Sequence, residues 1–165
     1  MPFQPSQPPR CLQAFDIQLS NDVELGFSRD ASFNSYRLTC RCGNDVWRVH
    51  GYWFQDAMEF GDPLDIECCG CQAIRRLFDI NQDGYNAEIG DLWDRDTNDP
   101  KHVWTCPQCQ SPEGRLIASF GYQYELFEPH EPESHRSQDY FDAFLLHHFC
   151  VNDDSRVEVI VFECA

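Results

Sequence analysis

The chain has 165 residues, with 12 lysines and arginines against 28 aspartates and glutamates, so its formal net charge is −16. This acidity opposes direct binding to DNA or RNA, because phosphate backbones derive most of their affinity from Lys and Arg. No segment approaches the roughly 20 apolar residues of a membrane span. The N-terminus carries four prolines and no apolar stretch typical of a signal peptide. We therefore expect a cytoplasmic protein that binds neither membranes nor nucleic acid directly.

Short β-strands dominate the predicted structure after a flexible, proline-rich arm at residues 1–10. One strand leads into a first cysteine turn, and the next covers residues 46–54 with Trp47, Val49 and Trp53 on one face. Further strands are predicted around each later cysteine turn. Alternating valines mark the last strand of the chain.

Ten cysteines occur in the chain, most of them in clusters at metal-ligand spacing. In a reducing compartment such clusters favour metal binding over disulfides. Four thiolates on two tight turns form a closed tetrahedral site for Zn²⁺. We predict a first zinc site from a C-x-C and a C-x-x-C turn, made of Cys40, Cys42, Cys68 and Cys71. Cys69 is an alternative to Cys68, because the two cysteines are adjacent.

An acidic insert at 79–100 follows the first site. Asp79 to Gly84 reads D-x-N-x-D-G, the opening of an EF-hand loop, but the twelfth position is Gly90, where an EF-hand has a bidentate Glu. Asp and Asn also favour turns because their side chains bond their own backbone. We therefore predict an acidic turn here, with Ca²⁺ binding as the alternative.

A second zinc site is predicted from Cys106, Cys109 and Cys150, with the fourth ligand open. Cys68-x-x-Cys71 followed by a strand matches Cys150-x-x-Asp153 followed by a strand, which favours Asp153. A carboxylate or an imidazole is an acceptable zinc ligand. The alternatives for the fourth position are therefore His147, His148 and Cys164.

The cysteine turns of residues 38–78 resemble a two-knuckle zinc ribbon, and residues 104–162 resemble a second, imperfect copy. The resemblance implies a mainly β fold of two zinc-ribbon-like units built from antiparallel strands and sharing a core. The N-terminal unit would cover 11–100, including the insert, and the degenerate C-terminal unit 101–165. Zinc ribbons serve many roles, so the resemblance concerns fold alone.

An acidic surface suits a basic protein partner, because complementary charge steers association. We expect a non-enzymatic, zinc-stabilised binding module, for example an immunity or inhibitor protein against a basic toxin, with the insert as the partner-binding region. Two alternatives remain. A metal-dependent hydrolase would use an open second metal site. A transcription- or RNA-associated ribbon would dock to another protein.

Overall fold

Antiparallel β-strands make up most of the computed structural model, which describes residues 7–23, 31–54, 59–84, 100–123 and 141–163. This confirms the predicted mainly β, antiparallel fold class. Within these ranges, a 3₁₀ helix, Arg10–Leu12, precedes nine strands. Among the described residues, no helix has the length and apolar character that a membrane crossing requires. The strands are β1 (Asp16–Leu19), β2 (Ala31–Thr39), β3 (Val46–Phe54), β4 (Glu59–Cys68), β5 (Ile74–Phe78), β6 (His102–Val103), β7 (Gly114–Gln123), β8 (Ala143–Cys150) and β9 (Arg156–Glu163).

The strands form one curled sheet in which neighbours in sequence are often not neighbours in space. Its main path runs β1-β2-β7-β3-β4-β5, while β8 pairs with β7 and β9 pairs with β8. Strands of one half pair with strands of the other: β2 of the first half pairs with β7 of the second, and β6 of the second half pairs with β3 of the first. β3 and β7 also meet at their first residues, where Val46 lies opposite Arg115 and Trp47 opposite Gly114.

A single apolar core joins strands from both halves. Phe78 on β5 stacks on Phe144 of β8, with 4.2 Å between ring centroids and 9° between ring planes. Trp47 on β3 is fully buried, packs edge-on against Phe15 and donates its indole N–H to the Leu38 carbonyl at 3.0 Å. Because residues of β2 to β5 and of β7 to β9 occur in one buried cluster, the predicted shared core is confirmed.

In the described residues, β2 to β5 and β6 to β9 run through the same order of elements (strand, turn, strand, strand, turn, strand), with the 3₁₀ helix and β1 preceding the first series. In the first half the two turns follow β2 and β4, and in the second they follow β6 and β8. The duplication predicted from the sequence would produce this order. The duplication itself, and the boundary near residue 100, remain predictions.

A glycine at the start of β7 makes room for a buried histidine. Gly114 pairs with Cys150 on β8, and a Cβ at Gly114 would overlap the imidazole of His148. His148 has no exposed surface, and its ring lies 4.6 Å from the Trp104 ring between centroids. Only a residue without a side chain lets β7 and β8 pair this closely around His148.

Candidate metal centres

The four turns bring eight potential metal donors together in two groups. Within each group, one donor atom from every residue lies within 4.8 Å of the others. Site one comprises Cys40, Cys42, Cys68 and Cys71, and site two comprises Cys106, Cys109, Cys150 and Asp153. In each turn the first donor is buried and the second is exposed. Each group can therefore hold a metal ion close to the protein surface.

The four turns share one backbone pattern. In each, the N–H of the first cysteine donates to a carbonyl four or five residues later, at 2.8 to 3.0 Å: Cys40 to Asn44, Cys68 to Ala73, Cys106 to Ser111 and Cys150 to Ser155. In each, the residue after the second donor has a positive φ: 89° at Gly43, 62° at Gln72, 63° at Gln110 and 56° at Asp154. Asp153 thus occupies the place that Cys71 and Cys109 occupy in their own turns.

Site one is a crowded set of thiols. Cys40 Sγ lies 3.7 Å from Cys71 Sγ, and Cys42 Sγ lies 3.6 Å from Cys68 Sγ. The backbone N–H of Cys42 lowers the pKa of the Cys40 thiol, but burial and the neighbouring thiols outweigh it and raise that pKa to about 12. Several thiolates this close together need a cation to neutralise them, and a divalent metal provides one.

The two turns of site one also contact each other. A Cβ at Gly70 would come within 2.6 Å of the Asn44 side-chain nitrogen. The Asn44 side-chain oxygen accepts the Val46 N–H at 2.7 Å. Gly70 therefore allows the second turn to pack against the first, which holds both pairs of thiols in place.

Site two combines three thiols with one carboxylate. Cys109 Sγ lies 3.4 Å from Cys150 Sγ, and Cys106 Sγ lies 3.8 Å from Oδ2 of Asp153. Oδ1 of Asp153 accepts the Ser155 N–H at 2.9 Å, which leaves Oδ2 facing the thiols. The Ser155 hydroxyl and N–H hold the pKa of Asp153 well below its usual range. Asp153 is therefore an ionised, oriented donor.

Ser155 is a residue of site two that sequence reasoning missed. Its Oγ lies 3.1 Å from Cys106 Sγ, and this hydrogen bond is the main cause that lowers the pKa of the Cys106 thiol. A polar partner beside a metal-binding group orients and tunes the donors. The sequence did carry a signal for this residue: an Asp side chain often accepts the backbone N–H two residues later, and Ser155 follows Asp153 by two residues.

The other residues considered as ligands lie elsewhere. His147 and His148 are outside the site-two group, and Nε2 of His147 lies 3.7 Å from Oε2 of Glu158. Burial lowers the pKa of both histidines. Cys69 belongs to neither group, and burial raises the pKa of its thiol. Cys164 lies outside the described residues.

The EF-hand-like segment forms a hydrogen-bonded turn in its described part. Asp79 accepts the Asn81 N–H at 3.0 Å on Oδ1 and an Arg76 guanidinium N–H at 3.0 Å on Oδ2. Oδ2 of Asp83 accepts the Asp79 N–H at 2.8 Å. These carboxylates stabilise the turn and an ion pair, and within the described residues the segment contributes to no metal-donor group. Residues 85–99 of the insert lie outside the described ranges.

No protein-family model matches the chain, and neither a curated protein nor a solved structure matches it significantly.

Proposed function

We propose that the protein is a zinc-stabilised, non-enzymatic binding module with one Zn²⁺ at site one and one at site two. The observation that carries the proposal is the two groups of four donors, each held by two turns of matching geometry. Thiolate-rich tetrahedral sets are the ligands that structural zinc prefers. With four protein donors at each site, neither has the open position that a hydrolytic zinc needs for water. This favours a structural role over the hydrolase alternative.

Native mass spectrometry of protein purified without chelator tests the metal content. We expect two zinc ions per chain, identified by elemental analysis of the same sample. Cys42→Ser and Cys109→Ser should each reduce the count by one, because each removes an exposed ligand from a different site. A folded protein that carries no metal would refute the proposal.

The proposed partner is a basic protein, and the charges on the described strands and turns support this. Several of the chain's basic side chains are engaged with its own acids: Arg48 contacts Glu67 and Glu113, while Lys101 and Arg76 both contact Asp65. Burial opposes ionisation of Asp65, yet the two cations outweigh it and hold its pKa below the usual value. The 28 acids of the sequence outnumber its 12 bases, so a net negative charge remains beyond these ion pairs to attract a cation-rich surface.

Salt-dependent capture tests the partner class. We expect the protein to bind an immobilised basic nuclease at low ionic strength and to lose most of this binding as salt rises, because exposed charges are screened over about 10 Å at 0.1 M salt. An immobilised acidic protein of similar size is the control and should retain none. Capture that is equal on both resins, or insensitive to salt, would contradict a basic partner. A transcription- or RNA-associated ribbon would instead be retained by a protein of that machinery.

A further inference from the structure

The two sites differ in the chemistry of one donor. Site one presents four sulfurs, whereas Asp153 gives site two three sulfurs and one oxygen. Zn²⁺ is a borderline-soft ion, and thiolates are softer ligands than carboxylates. The bond from the metal to Asp153 is therefore the weakest one expected at either site.

Asp153 also has a second partner that stabilises it when it is not bound to metal. Its side chain is exposed, and its Oδ1 accepts the Ser155 N–H at 2.9 Å. A carboxylate that leaves the metal keeps this bond and keeps its contact with water, so its charge stays solvated. The exposed thiolates of site one, Cys42 and Cys71, lie instead 3.6 and 3.7 Å from a second sulfur of their own group.

The sites also differ in how they connect to the core. Cys40 and Cys68 of site one belong to the main buried cluster, whereas Cys106 and Cys150 are buried outside it. The stretch that carries the first turn of site two, residues 100–113, is joined to the sheet by two residue pairs of β6 with β3, by the Trp104 N–H to the Val49 carbonyl, and by the ion pairs of Lys101 with Asp65 and of Glu113 with Arg48. The second turn stays supported by the β7–β8 and β8–β9 ladders.

From these differences we propose that site two is an exchangeable metal centre. Asp153 detaches while three thiolates hold the ion, an incoming chelating ligand takes the vacated position, and the metal leaves with the sheet intact. This inference rests on the proposed function, because it requires zinc at both sites. It assigns the two ions different roles: the ion at site one is integral to the fold, and the ion at site two is available for exchange.

A chelator time course on the two-zinc protein, with EDTA as the probe, tests this. Native mass spectrometry should show rapid conversion to a one-zinc species that persists, while the far-ultraviolet circular dichroism stays unchanged. Asp153→Cys should slow the first loss by at least roughly tenfold, the lower end of what even outer-shell changes cost in metal affinity. A cysteine fits there because Cys71 and Cys109 occupy the same place in equivalent turns. Asp154→Asn, in the same turn but outside the donor group, is the matched control and should leave the fast phase unchanged.

The reciprocal variant keeps the test decisive if Asp153→Cys does not fold. Cys71→Asp places a carboxylate at the equivalent position of site one and should make that site release its metal rapidly as well. Simultaneous loss of both ions from the wild type, or a fast phase that Asp153→Cys does not slow, would overturn the inference and leave the proposed function standing. A wild-type protein with a single zinc from the outset would refute the second site itself, and this inference with it.

Discussion

Replacing Cys68 with serine is expected to unfold much of the protein, whereas the same change at the adjacent Cys69 is expected to leave it folded. The Cys68 thiol is fully buried, belongs to the core and lies 3.6 Å from Cys42 Sγ. Its loss leaves three thiolates at site one, and structural zinc contributes about 10–16 kcal/mol in isolated zinc-finger peptides. The free energy of unfolding of a native protein is only about 5–15 kcal/mol, so losing the zinc of site one removes most of it.

Thermal unfolding and metal counting on the two variants measure this effect. Metal loss belongs to the few mechanisms that cost more than about 5 kcal/mol, and at this chain length 5 kcal/mol lowers Tm by roughly 10–20 °C. We expect Cys68→Ser to lose one zinc and to show at least this decrease. Cys69→Ser should keep both ions and a Tm within a few degrees of the wild type. If Cys69→Ser instead loses a zinc and Cys68→Ser keeps both, Cys69 is the ligand, which is the alternative left open by the adjacent pair.

Truncation of Trp47 to alanine is the second substitution with a large expected effect. Its side chain has no exposed surface, contacts Phe15 and donates to the Leu38 carbonyl. A buried Trp→Ala change costs about 3–5 kcal/mol, because the neighbours relax only partly into the cavity. The Leu38 carbonyl also loses its indole donor inside the core, which adds a desolvation cost.

Urea unfolding at saturating zinc, followed by circular dichroism, separates this effect from metal loss. Trp53→Ala is the matched control, since Trp53 lies on the same strand but is 45% exposed, and its change should stay within about 0.5 kcal/mol. For Trp47→Phe, the loss in free energy of unfolding should lie between those of the two alanine variants, because phenylalanine restores ring packing without the indole donor. Equal losses for the alanine variants at 47 and 53 would show that the two tryptophans are equally buried in solution.

Local pattern predicted the parts of the structure that depend on nearby residues. The strand at 46–54 was predicted with the bounds of β3, and Trp47 and Val49 are buried as alternation requires. Trp53 shows where alternation fails. It lies beyond an irregularity in the β3–β4 pairing between His50 and Tyr52, close to the end of the strand, and much of its side chain reaches solvent. A period-2 pattern carries no information about such an irregularity.

Strand partnership could not be predicted from local pattern. A two-knuckle ribbon leads one to expect pairing between the strands on either side of each turn, and β4–β5 and β8–β9 do pair in this way. In the described residues, however, β2 pairs with β1 and β7, and β6 pairs with β3. These choices depend on how the halves pack together. The two donors within each turn were predictable, because spacing and turn chemistry act over only a few residues. That two turns share a site depends on contacts between distant residues: Cys42 and Cys68 are 26 residues apart, and Cys109 and Cys150 are 41 residues apart.

The pairing of β2 with β7 has a consequence for how the protein is made. During synthesis β2 emerges well before β7, so most of its ladder has no partner until the second half of the chain leaves the ribosome. An unpaired strand edge promotes association with other chains. The four cysteines of site one are already complete at that stage, and a zinc ion bound there would tie the end of β2 to the β4–β5 hairpin during the delay. Zinc supply in the translating cell would then govern the soluble yield, apart from any effect on the finished protein.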